Sequence, residues 1–225
     1  MLAYDFVNTV ILLLLLALVT LAYSFRLLFR GRAQFARVDK QGGSVLLGKG
    51  VMEMGYWSFF PIARFLVFLG VTPNQLSWAS LVLGGIAGTA LAYGYFGFGA
   101  LFATYSALAD ALDGMVARMT EVASDAGEVL DAAVDRYVEF FLLSGVAFFY
   151  RENELMLFIS MCALAGSFMV SYSTAKAEAL HIAPPAGITR RPERAVYLIL
   201  GAAISSLPFG YTGIFDVIPG MPLAI

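Results

Sequence analysis

The sequence has 225 residues, of which 60% are hydrophobic and only 13% are charged. A soluble domain is typically about half apolar and about a quarter charged, so this composition excludes one large soluble core and indicates several membrane spans. The formal net charge of −2 provides no basic signature for nucleic acid, and we expect no nucleic-acid partner.

The first predicted element is an apolar run from Phe6 to Tyr23, long enough to cross a bilayer, which takes about 20 residues. It lacks the basic start and the small-residue cleavage site of a signal peptide, so we expect an extra N-terminal transmembrane helix. Basic residues are concentrated in the stretch that follows, and cytoplasmic loops are rich in Lys and Arg. We therefore assign residues 1–50 to this helix and a basic cytoplasmic linker.

Residues 51–70 form the second predicted unit, an interfacial juxtamembrane helix. The stretch is apolar and aromatic but is interrupted by Glu53, Pro61 and Arg64. Such a mixture is typical of an amphipathic helix that lies in the plane of the membrane surface. A further short span is the alternative.

The third predicted unit, residues 71–225, is a transmembrane domain. Thr72 precedes Pro73, which disfavours a helical backbone at Thr72, so we expect Asn74 to be the N-cap of the first core helix. A final stretch, 209–225, ends in an apolar run that predicts a sixth core span, either missing, truncated or very short. The preceding spans are predicted at about residues 75–95, 97–118, 127–149, 155–180 and 191–208.

The predicted fold is thus an all-α polytopic membrane bundle of about six core transmembrane helices. Alternating passage through the bilayer brings the 119–126 turn and the 181–194 loop to one side. Lys and Arg are frequent on that side, so the positive-inside rule assigns it to the cytoplasm. We expect an integral protein of a prokaryotic cell (inner) membrane with a cytoplasm-facing site.

Four aspartates fall near the cytoplasmic ends of two consecutive spans. Asp110 and Asp113 are three residues apart and share a helix face, whereas Gly127, Asp131 and Asp135 recur every four residues on the next helix. The short turn makes the two helices antiparallel neighbours, so both acidic stripes can face one cavity. A charge near the bilayer centre costs at least ~2.5–3.5 kcal/mol, which makes the cluster a functional hypothesis.

Converging carboxylates repel each other unless a cation neutralises them. Oxygen ligands suit hard divalent ions such as Mg²⁺ or Mn²⁺, and two such ions form the usual clamp for displacement at phosphorus. A structural network with Arg118 and Arg136 is one alternative, although two arginines do not balance the acidic residues. An ion pathway in a transporter is another, although transporters usually distribute charges across helices at the midplane.

The segment from Asp110 to Asp135 reads D-x2-D-G-x2-A-R-x8-G-x3-D-x3-D. It resembles the signature of the CDP-alcohol phosphatidyltransferases at every fixed position, and the similarity extends over roughly residues 70–208. The resemblance implies an enzyme that displaces CMP from a CDP-linked lipid by an acceptor hydroxyl, with Mg²⁺ or Mn²⁺, expected as two ions. It also implies a homodimer.

The resemblance further implies a role for each matching residue. Asp131 and Asp135 are the expected catalytic pair, with Asp135 as general base, metal ligand or both. The expected metal ligands are Asp110, Asp113, Asp131 and Asp135. The expected CDP-lipid-binding residues are Asn74, Ser77, Asp113, Gly114, Ala117, Arg118 and Gly127.

A basic group near the ends of the last two segments bears on the acceptor. Arginine suits phosphate, although topology-setting charge is the simpler explanation. The run 187–194, GITRRPER, resembles phosphatidylinositol-phosphate synthases and favours inositol phosphate, whereas Thr174 stands where those enzymes tend to have a basic residue. Glycerol 3-phosphate, another alcohol, or a transporter or non-catalytic binding protein remain alternatives. The predicted acceptor-binding residues are Lys176, Arg190, Arg191 and Arg194.

Overall fold

The computed structural model describes residues 2–32, 48–182 and 191–207, and within those ranges it contains seven α-helices and no strand. The all-α prediction is confirmed. Most of the predicted linker, Arg190 and the predicted last span lie outside the described residues. The helices are α1 (Leu2–Arg30), α2 (Lys49–Phe68), α3 (Pro73–Ala92), α4 (Phe96–Met119), α5 (Asp125–Phe149), α6 (Glu154–Ala179) and α7 (Arg191–Ser205).

Three of the described helices are long and apolar enough to cross a membrane, namely α1 from Asp5 onwards, α3 and α6. Helices α4 and α5 are similarly long, at 24 and 25 residues, but they carry the aspartate-rich segment. Large apolar side chains are exposed along α1 and α6, as expected of helices that face lipid rather than water.

Helix α3 begins two residues earlier than the sequence indicates. The hydroxyl of Thr72 accepts a hydrogen bond from the Gln75 amide (3.4 Å), and the Gln75 side chain accepts one from the Thr72 amide (2.9 Å). This capping box makes Thr72 the N-cap, with Pro73 in the first turn, where its missing N–H costs nothing. The prediction that Asn74 is the N-cap is wrong, and its side chain is not needed as a cap.

Helix α3 is the central element, because it packs along both α4 and α5, whereas those two helices meet only narrowly. The crossing of α3 and α5 depends on glycine. A Cβ atom on Gly88 would lie 2.3 Å from the Phe141 carbonyl oxygen, and one on Gly145 would lie 2.2 Å from the Gly88 oxygen. Small residues at a helix crossing allow this close backbone approach, which is common within membranes.

Helix α2 runs without interruption through Pro61. Tertiary packing holds it, because Ala63 is fully buried against Leu76, Leu112 and Val116. The predicted helix at residues 51–70 is therefore present, and its position at the membrane surface stays a prediction.

The N-terminal helix α1 contacts both ends of the remaining bundle. Near its start, both carboxylate oxygens of Asp5 accept hydrogen bonds from backbone amides of α4, Gly97 (3.0 Å) and Phe98 (2.8 Å). Thr9 hydrogen-bonds Ser206, just after α7. Near its other end, Tyr23 donates to Glu53 of α2 (3.2 Å). Helix α1 is thus packed into the bundle.

Candidate active site

Three of the four predicted metal ligands lie together between α4 and α5. Asp110, Asp113 and Asp131 each offer a carboxylate oxygen, and these oxygens all lie within 4.8 Å of one another. The i,i+3 spacing on α4 directs Asp110 and Asp113 towards α5, as the sequence pattern predicts. We call these three residues the acidic triad.

Asp113 is the most enclosed member of the acidic triad, at 5% exposure. The hydroxyl of Ser77, on α3, donates a hydrogen bond to its carboxylate (2.6 Å). Ser77 is itself buried, so this contact fixes the direction of the Asp113 side chain. Ser77 therefore contacts a carboxylate of the acidic triad, and it also lines the neighbouring cavity.

Cavity 1, of about 750 Å³, opens beside the acidic triad between α3, α4 and α5. Its wall combines the start of α3, the end of α4 and the start of α5, where the turn joining α4 to α5 also contributes. All seven predicted CDP-lipid-binding residues line it, namely Asn74, Ser77, Asp113, Gly114, Ala117, Arg118 and Gly127. Asp131 lines it as well.

The two glycines of cavity 1, Gly114 and Gly127, lie where a side chain would approach polar atoms of neighbouring residues. A Cβ atom on Gly114 would lie 3.0 Å from Arg118 Nη1, so the Arg118 side chain passes directly over this glycine. Gly127 stands in the first turn of α5, where its amide donates to the N-cap hydroxyl of Ser124 (3.1 Å). The small residues therefore leave room for a ligand near a guanidinium and the start of a helix, an arrangement suited to anions.

Cavity 2, of about 400 Å³, lies between α4, α5, α6 and α7. Asp110 and Asp135 both line it, as do Glu139 and Arg194. Asp113 and Asp131 line cavity 1, so the acidic triad has members on both cavities and stands where they approach each other.

Asp135 is one turn further along α5 than Asp131, about 6 Å for four residues. It is buried, and its carboxylate lies 3.6 Å from Arg136 Nη1. The group of ligand atoms within 4.8 Å comprises only the acidic triad among the described residues. The structure therefore presents Asp135 to cavity 2 beside Asp110, rather than as a fourth member of one tight cluster.

The predicted acceptor residues separate in space. Arg194 lines cavity 2, whereas Lys176 is exposed and is not among the residues lining either cavity. Arg190 and the side chain of Arg191 lie outside the described residues. Thr174 donates its hydroxyl to the Val170 carbonyl of its own helix (2.9 Å).

The donor set of the acidic triad fits a divalent cation. Its members supply carboxylate oxygens only, and hard ions such as Mg²⁺ and Mn²⁺ prefer oxygen ligands. Three mutually repelling carboxylates within 4.8 Å would also be stabilised by a positive charge between them.

Comparison with known proteins identifies the family. Residues 70–219, well over half of the chain, match the family model of CDP-alcohol phosphatidyltransferases, and the chain belongs to that family. It is therefore an enzyme, a transferase of phospholipid biosynthesis, and an integral membrane protein, as predicted.

Within this family, the chain is similar to phosphatidylinositol phosphate synthases. The phosphatidylinositol phosphate synthase of Mycolicibacterium smegmatis is 33% identical over 155 residues, covering 66% of this chain and 69% of the relative. That of Mycobacterium tuberculosis is 35% identical over 158 residues, covering 66% and 70%. Crystal structures of the latter enzyme, with CDP-DAG bound or with manganese and citrate, both give a TM-score of 0.61 at 29% identity. They cover 66% of this chain and 77% and 73% of those chains.

Sequence reasoning missed Glu139, which lines cavity 2 and pairs with Arg194. Its position was available as a signal, because it continues the four-residue stripe of Gly127, Asp131 and Asp135 on α5. Glu139 falls outside the fixed positions of the family signature, so the signature does not indicate it.

Proposed function

We propose that this enzyme transfers the phosphatidyl group of CDP-diacylglycerol to the hydroxyl of a small phosphorylated polyol, best matched by inositol phosphate, and releases CMP. The observation that carries the proposal is the pairing of cavity 1 with the acidic triad. All seven residues expected to hold a CDP-lipid line one space, directly beside three converging carboxylates.

The donor half of the reaction is assigned to cavity 1. Arg118, passing over Gly114, is positioned to face the diphosphate, and the small side chains of Ala117 and Gly127 leave the backbone accessible to the nucleotide. Ser77 keeps Asp113 directed into the acidic triad. The acyl chains of the donor can remain in the bilayer while its head group enters this polar space.

The acceptor half is assigned to cavity 2, where Asp135 and Arg194 both contribute to the wall. Asp135 takes the proton from the acceptor hydroxyl. The acceptor oxygen then forms a bond to the phosphorus that carries diacylglycerol, and the bond from that phosphorus to the CMP oxygen breaks. CMP leaves with the bonding electron pair.

Divalent cations fit the acidic triad, and Asp110, Asp113 and Asp131 would hold them. Mg²⁺ or Mn²⁺, proposed as two ions with Asp135 as a further ligand, would neutralise charge on the diphosphate as CMP departs. Asp131 and Asp135 then form the catalytic pair, and one carboxylate can act as ligand and base because it has two oxygens.

The acceptor is the least constrained substrate. The GITRRPER run and the named relatives, which are phosphatidylinositol phosphate synthases, support inositol phosphate. Arg194, which lines cavity 2, is its proposed phosphate ligand together with Arg190 and Arg191, whereas Lys176 lines neither cavity and its role in acceptor binding stays a prediction. Thr174 is uncharged, and its hydroxyl donates to a carbonyl of its own helix, so it provides no positive charge for the inositol phosphate. Glycerol 3-phosphate is therefore the competing acceptor.

We further propose that both cavities face the cytoplasm of a prokaryotic cell and that the enzyme acts as a homodimer. The proposed enzyme has three parts. They are a membrane anchor with its linker (residues 1–50), an interfacial helix (51–70) and a catalytic domain (71–225). The basic residues that follow α1 support this orientation.

The test is CMP release by the purified full chain in CDP-diacylglycerol vesicles with Mg²⁺ or Mn²⁺. Inositol phosphate, glycerol 3-phosphate, free inositol and no acceptor are compared. We expect release to require both metal and acceptor and to be fastest with inositol phosphate. Faster release with glycerol 3-phosphate would change the acceptor, and no release with any acceptor would favour a binding or transport protein.

A further inference from the structure

Cavity 2 contains an ion pair that the family signature does not include. Arg194 of α7 reaches Glu139 of α5, with its Nε 2.9 Å from Oε1 and its Nη2 3.4 Å from Oε2. Two parallel N–H···O contacts of this kind fix the plane of a guanidinium as well as its position. Both side chains are largely enclosed, at 15% exposure for Glu139 and 17% for Arg194.

Helix α6 supports the same pair from the third side. Ser167 donates its hydroxyl to Glu139, and Ser171, one turn further along, accepts from Arg194 Nη2 (3.2 Å). Both serines are buried, at 4% and 8% exposure. The ion pair therefore rests in a fixed polar network that joins α5, α6 and α7.

This network borders the space in which the acceptor is expected. Glu139, Ser167 and Arg194 all line cavity 2, together with Asp110 and Asp135. Glu139 follows Asp135 by one turn of α5, so the expected proton acceptor and the partner of Arg194 are held on one rigid helix face.

We propose that Glu139 is a positioning residue for the acceptor, which holds the Arg194 guanidinium on the wall of cavity 2 in the orientation that receives the acceptor's anionic group. This rests on the proposed function, because it takes the acceptor to be a phosphorylated polyol. Glu139 does not touch the acceptor phosphate, since two anions would repel, and its effect passes entirely through Arg194.

The first experiment measures KM for inositol phosphate, KM for CDP-diacylglycerol and kcat in the wild type and in the Glu139→Ala and Glu139→Gln variants. Losing a hydrogen-bonded partner of an enclosed charge lowers affinity by about tenfold or more, so Glu139→Ala should raise the acceptor KM to that extent. The donor KM should stay within about twofold, because Glu139 does not line cavity 1. Glu139→Gln keeps an oxygen acceptor and should recover much of the loss.

The second experiment is a double-mutant cycle with Arg194→Ala. If Glu139 acts through Arg194, then Arg194→Ala alone raises the acceptor KM, and adding Glu139→Ala causes little further change. A role in folding alone would also be non-additive for two residues in contact, but it would lower kcat or raise both KM values rather than the acceptor KM alone. Ser171→Ala, which removes one weaker contact, should raise the acceptor KM by a few-fold and serves if Glu139→Ala does not fold.

The outcomes separate this inference from the proposed function. A wild-type enzyme that releases no CMP with any phosphorylated acceptor overturns the proposed function itself. An active wild type in which Glu139→Ala or Ser171→Ala leaves the acceptor KM unchanged, or lowers it, overturns only the role of Glu139. Unequal effects on the two KM values together with non-additivity in the cycle support it.

Discussion

Helix α4 meets carboxylates near both of its ends, and the two settings differ in what satisfies the oxygens. At the N-terminal end, Asp5 of α1 has both oxygens occupied by amides of the helix, from Gly97 and Phe98. Towards the C-terminal end, Asp110 and Asp113 point to a third carboxylate, that of Asp131, with oxygens within 4.8 Å. The Asp5 carboxylate is hydrogen-bonded to backbone N–H groups, whereas the carboxylates of the acidic triad repel one another.

Structural and functional acids in a membrane bundle can be distinguished by the partners of their oxygens. A carboxylate that accepts two amides at a helix start satisfies orphan N–H groups and favours the positive end of the helix dipole, so it needs no ligand. Carboxylates that face one another repel, and a bound cation offsets that repulsion while all of them stay ionised. Substitutions at the two ends should therefore affect different measurable quantities.

The largest expected effect is at the acidic triad. Asp113→Ala should reduce CMP release by about 10³-fold or more, because it removes a carboxylate from the proposed cation site. Release is measured with saturating CDP-diacylglycerol and inositol phosphate. Asp125→Ala is the matched control, since Asp125 also lines cavity 1 but is exposed and outside the triad. Comparable losses in both variants would contradict a specific triad.

The next effect separates Asp135 from the acidic triad. Asp135→Asn should reduce turnover by about 10²–10⁴-fold, the usual contribution of a general base, while CDP-diacylglycerol binding stays near the wild-type value. Binding is measured independently by equilibrium titration of the lipid. Near-normal turnover in this variant would contradict the role of Asp135 as general base. Loss of CDP-diacylglycerol binding would show that Asp135 contributes to the lipid site in cavity 1.

At the other end of α4, substitution should affect stability rather than chemistry. A Cβ atom on Gly97 would lie 2.2 Å from the Asp5 carbonyl oxygen, so Gly97→Ala should push α1 away and cost about 1–3 kcal/mol. The measurement is the unfolding temperature in detergent. Gly166→Ala is the control and should not destabilise, because a Cβ atom added at Gly166 would meet no atom of the described residues within 4 Å. Equal behaviour of the two variants would show that α1 is not held at Gly97.

The smallest expected effect concerns the cap itself. Asp5→Ala leaves two amides of α4 without their acceptor and should cost about 1–2 kcal/mol, a fall of about 2–8 °C in unfolding temperature. Asp5→Asn retains one acceptor oxygen and should lose less. Both variants should keep wild-type KM values below the unfolding transition, and a selective loss of kcat would indicate that Asp5 serves the reaction.

Much of this architecture is predictable because it follows from local periodicity. The apolar runs match the five core helices to within a few residues, and the four-residue spacing of Asp131 and Gly127 brings both to cavity 1. The motif spans consecutive antiparallel helices, so spacing along the chain translates directly into proximity.

Other features could not be read from the sequence because they depend on contacts between distant segments. Asp5 lies 92 residues from Gly97 and Glu139 lies 55 residues from Arg194, and no local pattern pairs them. The N-cap at Thr72 is hard to predict for a different reason. The capping box at Thr72 forms only if the Gln75 side chain turns back to the Thr72 amide. The sequence does not show this contact, and Asn74 is an equally plausible N-cap by residue type.

A Mn²⁺ titration of the purified protein, followed by electron paramagnetic resonance, tests directly whether the acidic triad binds a divalent cation. The acidic triad predicts that the wild type and Asp5→Ala bind Mn²⁺ with the same stoichiometry, that Mg²⁺ competes, and that Asp113→Ala loses most of the binding. Unchanged Mn²⁺ binding in Asp113→Ala, or equal losses in Asp113→Ala and Asp5→Ala, would contradict the assignment of the cation site to Asp110, Asp113 and Asp131.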